Sequence, residues 1–168
     1  CGQSLYIYLE LIEGRSLDKC LAEQPDCRLP PRQAAELVQK VAAALHHAHA
    51  ADVDCRDVKT ANILIDNRGE PQVIDFGLAR RRHLDATLTR EGDILGTLAY
   101  MPPEQADGRA RDATARSDVY SLGVVLYQLL TGCLPFDRTN HVGELVHRII
   151  HDEPPRPQAR NPSVPRDL

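Results

Sequence analysis

The stretch CRDVKTANILID at residues 55–66, followed after a turn by VIDFG at residues 73–77, decides how this chain is interpreted. In the first piece the carboxylate of Asp57, the ammonium of Lys59 and the amide of Asn62 lie within six residues. In the second piece a further carboxylate follows a short apolar run that predicts a strand. A carboxylate, a cation and two oxygen ligands at this spacing indicate a phosphoryl-transfer site.

The residue types suit that chemistry because a phosphoryl group is already electrophilic. The protein mainly has to place an acceptor hydroxyl and neutralise negative charge. Asp57 would accept or orient the substrate hydroxyl, and Lys59 would offset the charge of the transferred group. Asn62 and Asp75 offer the hard oxygen ligands that Mg²⁺ prefers.

Residues 55–62, the D-F-G at residues 75–77 and Pro103-Glu104 resemble the protein-kinase motifs H-R-D-L-K-x-x-N, D-F-G and A-P-E in order and spacing. The resemblance runs along essentially the whole chain and is closest to the bacterial serine/threonine kinases. A single D-F-G is a weak signal, but several motifs in register are not expected by chance. The resemblance implies ATP and Mg²⁺ as cofactors and proteins bearing Ser or Thr as substrates.

The same resemblance implies an α+β protein-kinase-like fold, mainly the α-helical C-terminal lobe with a hinge and a catalytic-loop β-hairpin. Residues 1–14 would be the end of the N-lobe and the hinge, and residues 15–168 a partial C-lobe. Within that lobe the catalytic loop spans 55–62 and the activation segment 75–104. We find no glycine-rich phosphate loop and expect the last helices of the lobe to be missing. The chain alone is therefore expected to be inactive.

Composition excludes little. A net charge of −4 over 168 residues gives no reason to expect nucleic acid or an anionic membrane as a partner. We find no apolar run near the ~18 residues of a membrane span. The five cysteines are scattered and odd in number, which favours reduced thiols and a cytoplasmic location. An anchor outside these residues is compatible with that location.

Residues 4–12 alternate and are rich in Leu, Tyr and Ile, which predicts a strand. In the kinase frame this strand enters the hinge. Leu9 would be the gatekeeper, the backbones of Glu10 and Ile12 would face the adenine edge, and Leu64 would form the floor under adenine. A plain edge strand and a core leucine are the alternatives.

Caps and apolar spacing predict four helices, at residues 17–23, 31–50, 113–131 and 141–151. The second helix should bury one face, made of Ala34, Leu37, Val38, Val41, Ala44, Leu45 and Ala48. The fourth helix precedes a proline-rich tail at 153–165, which predicts an extended surface segment.

Three histidines, His46, His47 and His49, lie near the end of the second helix. A metal site is one interpretation, but histidines near a helix C-terminus more often interact with the helix dipole, and we favour that. Asp118 in the third helix matches the kinase aspartate that binds the backbone of the catalytic loop. Short strands at 63–65 and 72–74 predict a hairpin that places Asn62 and Asp75 at neighbouring strand ends.

Residues 78–95 are polar and lack a clear period, as in an activation loop. Thr87 and Thr89 are candidate phosphorylation sites, and Arg56 is the cation that such a phosphate would pair with. Glu91 would partly mimic a phosphate. Ordinary loop threonines are the alternative.

In the kinase frame Thr97 would hydrogen-bond Asp57 and Lys59, a combination typical of serine/threonine kinases. Two residues depart from the pattern: Cys55 replaces the histidine, and Asp54 replaces an apolar residue. They leave open a catalytically silent pseudokinase scaffold. A small-molecule phosphotransferase ranks last, because Thr97 belongs to kinases that act on proteins.

Overall fold

The computed structural model describes residues 10–76, 96–109, 114–136 and 141–167. Its strands are β1 (Gly14–Ser16), β2 (Ile63–Asp66) and β3 (Pro71–Val73). Its α-helices are α1 (Leu17–Ala22), α2 (Pro31–Ala50), α3 (Pro103–Ala106), α4 (Ala115–Thr131), α5 (Val142–His151) and α6 (Pro157–Arg160). Short 3₁₀ turns occupy Pro25–Cys27 and Thr60–Asn62. Helices predominate over a small sheet, which agrees with the expected α+β class.

The three strands form an antiparallel sheet in the order β1-β2-β3. The predicted hairpin is confirmed, and its turn is closed by the carboxylate of Asp66, which accepts the backbone N–H groups of Arg68 and Glu70 at 2.8 Å. Gly69 has a φ of 82°, which favours glycine. The sequence did not predict β1, because a three-residue strand is too short to show alternation.

Helix α4 forms the centre of the core. Its residues Val125 and Leu129 are fully buried, and it packs against α2, in which Val41 and Leu45 are buried. The predicted apolar face of α2 is mostly correct, but Ala44 is exposed. The apolar sequence of α4 suggested burial on nearly all sides, yet the side chain of Val119 is 66% exposed.

Two other predictions need correction. Residues 10–12 are not in a strand, because β1 begins only at Gly14, while residues 4–9 lie outside the described part of the chain. The tail is not a purely extended surface segment. Pro157 begins the short helix α6, Asn161 donates to the carbonyl of Leu130 in α4 at 2.7 Å, and Val164 is buried. Among the described residues, no helix is both long and apolar enough to cross a membrane.

Candidate active site

In the loop between α2 and β2, buried residues are interspersed with partly exposed ones. Cys55, Val58 and Thr60 are buried in the core. The side chains of Asp57 and Lys59 between them are only 15% and 16% exposed, respectively. Buried residues on both sides therefore hold the two charged groups in a partly shielded position.

Four of the predicted site residues meet in one polar network. Lys59 Nζ donates to Asp57 Oδ2 at 2.9 Å and to Thr97 Oγ1 at 3.0 Å. Asn62 Nδ2 donates to the carbonyl oxygen and to Oδ2 of Asp57, both at 2.9 Å. Thr97, which was expected to bond Asp57 and Lys59, is joined to Asp57 through Lys59.

Asp75 lies beside this network at the end of the hairpin. The backbone N–H of Ile74 donates to the carbonyl of Asn62 at 3.0 Å, so the predicted proximity of Asn62 and Asp75 is confirmed. Asp75 has a φ of 63°, a left-handed value that is uncommon outside glycine, although aspartate adopts it more often than most residues. Because the side-chain nitrogen of Asn62 bonds Asp57, the side-chain oxygen of Asn62 points away from Asp57. This oxygen and the carboxylate of Asp75 are ligands of the type that fits Mg²⁺.

Cys55 is fully buried behind the loop. Burial raises the pKa of its thiol to about 12, with a smaller opposing effect from a hydrogen bond to the backbone of Asp57. The negative charges of Asp118, Asp57 and Asp75 raise it further. The thiol is therefore neutral at physiological pH, and the acidic groups of the site surround it.

Asp118 in α4 fixes the start of the loop. Its carboxylate accepts the backbone N–H of Cys55 at 2.9 Å and that of Arg56 at 2.6 Å, which confirms the predicted contact. His49 Nε2 lies 2.7 Å from the same carboxylate. The expected interaction of His49 with the helix dipole leaves this contact with Asp118 out of account. The sequence contains no signal for the contact, because 69 positions separate the two residues.

A second connection runs from the loop to the segment around Tyr100. A 3.0 Å hydrogen bond joins the hydroxyls of Thr60 and Tyr100, and Tyr100 donates to Gln128 of α4 at 2.6 Å. Glu104 accepts a hydrogen bond from Ser117 at 2.7 Å. The sequence does not predict these contacts, because hydrogen bonds between residues far apart in the chain leave no local pattern.

The remaining predicted residues lie apart from the network. Leu64 is half-buried in the middle strand, on the face opposite the buried Ile63. Glu10 is exposed and Ile12 is partly buried, before β1 begins. Leu9, Thr87, Thr89 and Glu91 lie outside the described residues.

Arg56 is next to Asp57 but does not face the network. Its Nη2 donates to Asp54 Oδ2 at 2.9 Å. The side chain predicted to receive a phosphate is thus engaged with a neighbouring carboxylate.

Comparison with known proteins identifies relatives along nearly the whole chain. A family model described as a protein kinase domain matches residues 2–164. The serine/threonine-protein kinase PrkC of Bacillus subtilis is 37% identical over 97% of this chain and 24% of its own length. The serine/threonine-protein kinase PknB of Mycobacterium leprae is 38% identical over 99% of this chain and 26% of its own length.

A third relative, the serine/threonine-protein kinase pkn3 of Myxococcus xanthus, is 40% identical over 96% of this chain and 30% of its own length. The chain thus spans only 24% to 30% of the length of these curated relatives.

Proposed function

The chain belongs to the protein kinase domain family, and on this premise we propose that it carries the catalytic loop of a serine/threonine protein kinase. The reaction is transfer of the ATP γ-phosphate to Ser or Thr hydroxyls of protein substrates. The observation that carries the proposal is the network of Asp57, Lys59, Asn62 and Thr97, in which a carboxylate and an ammonium are held 2.9 Å apart.

Each residue has a distinct part in this proposal. Asp57 accepts the proton of the substrate hydroxyl and orients its oxygen for attack. The hydrogen bonds from Lys59 and Asn62 to Oδ2 fix the rotamer of Asp57 before substrate arrives. The charge of Lys59 also offsets that of the transferred phosphoryl group. Thr97 holds Lys59 in position.

Asn62 and Asp75 would hold Mg²⁺, which supplies charge neutralisation on the phosphates of ATP when it is bound. Asn62 is buried and Asp75 is partly buried, which favours this, because a carboxylate shielded from water binds a cation more strongly. We further propose that Glu10 and Ile12 lie in the hinge and meet the adenine edge, and that the exposed face of Leu64 meets the adenine ring.

The proposal is tested by transfer of radiolabelled phosphate from ATP and Mg²⁺ to a generic basic protein, using the complete protein. We expect label on serine and threonine, and loss of label in Asp57→Asn, which preserves side-chain volume. Glu36→Gln is the matched control, because Glu36 pairs with Arg32 on the exposed face of α2. Label on tyrosine alone, or equal label in Asp57→Asn, would contradict the proposal.

Cys55 favours a second candidate, a catalytically silent scaffold. A small neutral thiol fills the position where related sequences have a larger histidine. If the wild-type protein transfers no phosphate while binding ATP, and Cys55→His gains transfer, the scaffold function is the correct one.

A further inference from the structure

Arg56 has an unusual backbone. Its φ is 61°, in the left-handed region that is unfavourable for residues other than glycine. Such a conformation persists only where the surroundings impose it. The carboxylate of Asp118 does so from one side by accepting the N–H groups of Cys55 and Arg56.

The side chain of Arg56 supplies a second restraint. It pairs with Asp54 at 2.9 Å, and the two side chains are only 28% and 26% exposed. Ion pairs on an open surface contribute little, but shielding from water strengthens this one. The pair therefore joins the residues on either side of Cys55 and restrains the side chain of the strained residue, Arg56.

The charges around Asp54 explain why it needs Arg56. Ligand atoms of His49, Asp54 and Asp118 lie within 4.8 Å of one another, so two carboxylates are close together. The carboxylate of Asp118 contacts His49 and accepts two backbone N–H groups, whereas that of Asp54 accepts a hydrogen bond from the guanidinium of Arg56. We do not assign a metal here, because Arg56 already supplies the cation of the cluster.

We propose that Asp54 is the resident counter-ion of Arg56, a positioning residue that holds the catalytic loop without a phosphate from elsewhere in the protein. The proposal rests on the kinase function proposed above. In the kinase pattern that the sequence resembles, this position is apolar. The carboxylate of Asp54 is therefore a departure of this chain from that pattern. A phosphate directed at Arg56 would have to displace Asp54.

The test compares phosphatase-treated and untreated complete protein. We expect the wild-type kcat to change less than twofold on phosphatase treatment. In Asp54→Val, kcat of the phosphatase-treated form should fall about tenfold, because the guanidinium loses its partner, while the KM for ATP is unchanged. Asp54→Glu restores a carboxylate and should recover most of the activity. Activity lost only through misfolding would not be recovered in this way. The control is Glu36→Val, which removes a carboxylate from an exposed arginine pair.

Three results would overturn the inference. Wild-type protein that loses most of its kcat on phosphatase treatment needs a phosphate after all. The second result is a phosphatase-treated Asp54→Val variant that is folded by circular dichroism and as active as wild type. It would show that Asp54 does not position the loop. Both leave the kinase function intact. No transfer by the wild type overturns the kinase function and this inference together.

Discussion

The catalytic loop and the outer edge of the molecule both carry ion pairs, but in different surroundings. In the loop the Lys59–Asp57 pair has side chains about one-sixth exposed. At the outer edge Lys40 of α2 pairs with Glu70 of the hairpin turn at a similar distance, 2.7 Å, with both side chains about half exposed. Lys40 even contacts both oxygens of Glu70, whereas Lys59 contacts one oxygen of Asp57. Burial and the hydrogen bonds shared with other residues must therefore decide what each pair contributes to stability.

The largest effect is expected at the chemical centre. Asp57→Asn should lower kcat of the complete protein by roughly 10²–10⁴-fold, because the amide cannot accept the hydroxyl proton. The thermal midpoint should change little, since the volume and one acceptor oxygen remain. Steady-state kinetics and a melting curve measure both. A variant that retains more than a tenth of wild-type kcat would remove Asp57 from its proposed role.

The second-largest effect is expected at Asp118, the aspartate behind the catalytic loop. Asp118→Ala should lower the free energy of unfolding by about 3 kcal/mol, because two backbone N–H groups and His49 lose their common acceptor. Urea denaturation measures this loss. Asp152→Ala is the control, since its carboxylate is 3.7 Å from Arg148 on the surface of α5. Equal losses in the two variants would mean that burial does not distinguish the two regions.

Cys55 makes the stability of the loop depend on pH in the alkaline range. Its pKa is about 12 in the folded protein against an ordinary 9.0, so folding favours the neutral thiol. This contribution is complete below pH 9 and is lost as pH rises toward 12, because only the unfolded chain ionises there.

At about pH 10 the loss is about 1.4 kcal/mol relative to neutral pH. Cys55→Ala should therefore lose that much less stability than wild type between about pH 7 and pH 10. Urea midpoints at the two pH values measure the difference. Parallel losses in the two proteins would exclude the shifted pKa.

The smallest effect is expected at the outer edge. Lys40→Ala should leave the free energy of unfolding within ~0.5 kcal/mol of wild type, because water screens the pair with Glu70. Added salt should reduce even that difference. A loss above ~1 kcal/mol in urea denaturation would show that the pair anchors the hairpin turn on α2.

Sequence reasoning predicted the elements whose signals are local. The periods of α2 and α4, the proline at Pro31 and the glycine at Gly132 each act over a few residues, and the structure agrees to within a few positions. Sequence reasoning failed where an element was too short to show a pattern, or where a residue's partner lies far away in the sequence. Strand β1 is too short to alternate, and α6 was hidden by a proline-rich composition.

For the site, the sequence alone determined which chemical groups are present and in what order, since Asp57, Lys59, Asn62 and Asp75 fall in motifs whose spacing is local. Tertiary structure decided their environment. It brought His49 and Asp118 together across 69 positions, turned Arg56 toward Asp54 and buried the thiol of Cys55. The physical reason is that burial and long-range charge depend on how α2, α4 and the loop pack in three dimensions, and no local pattern encodes that packing.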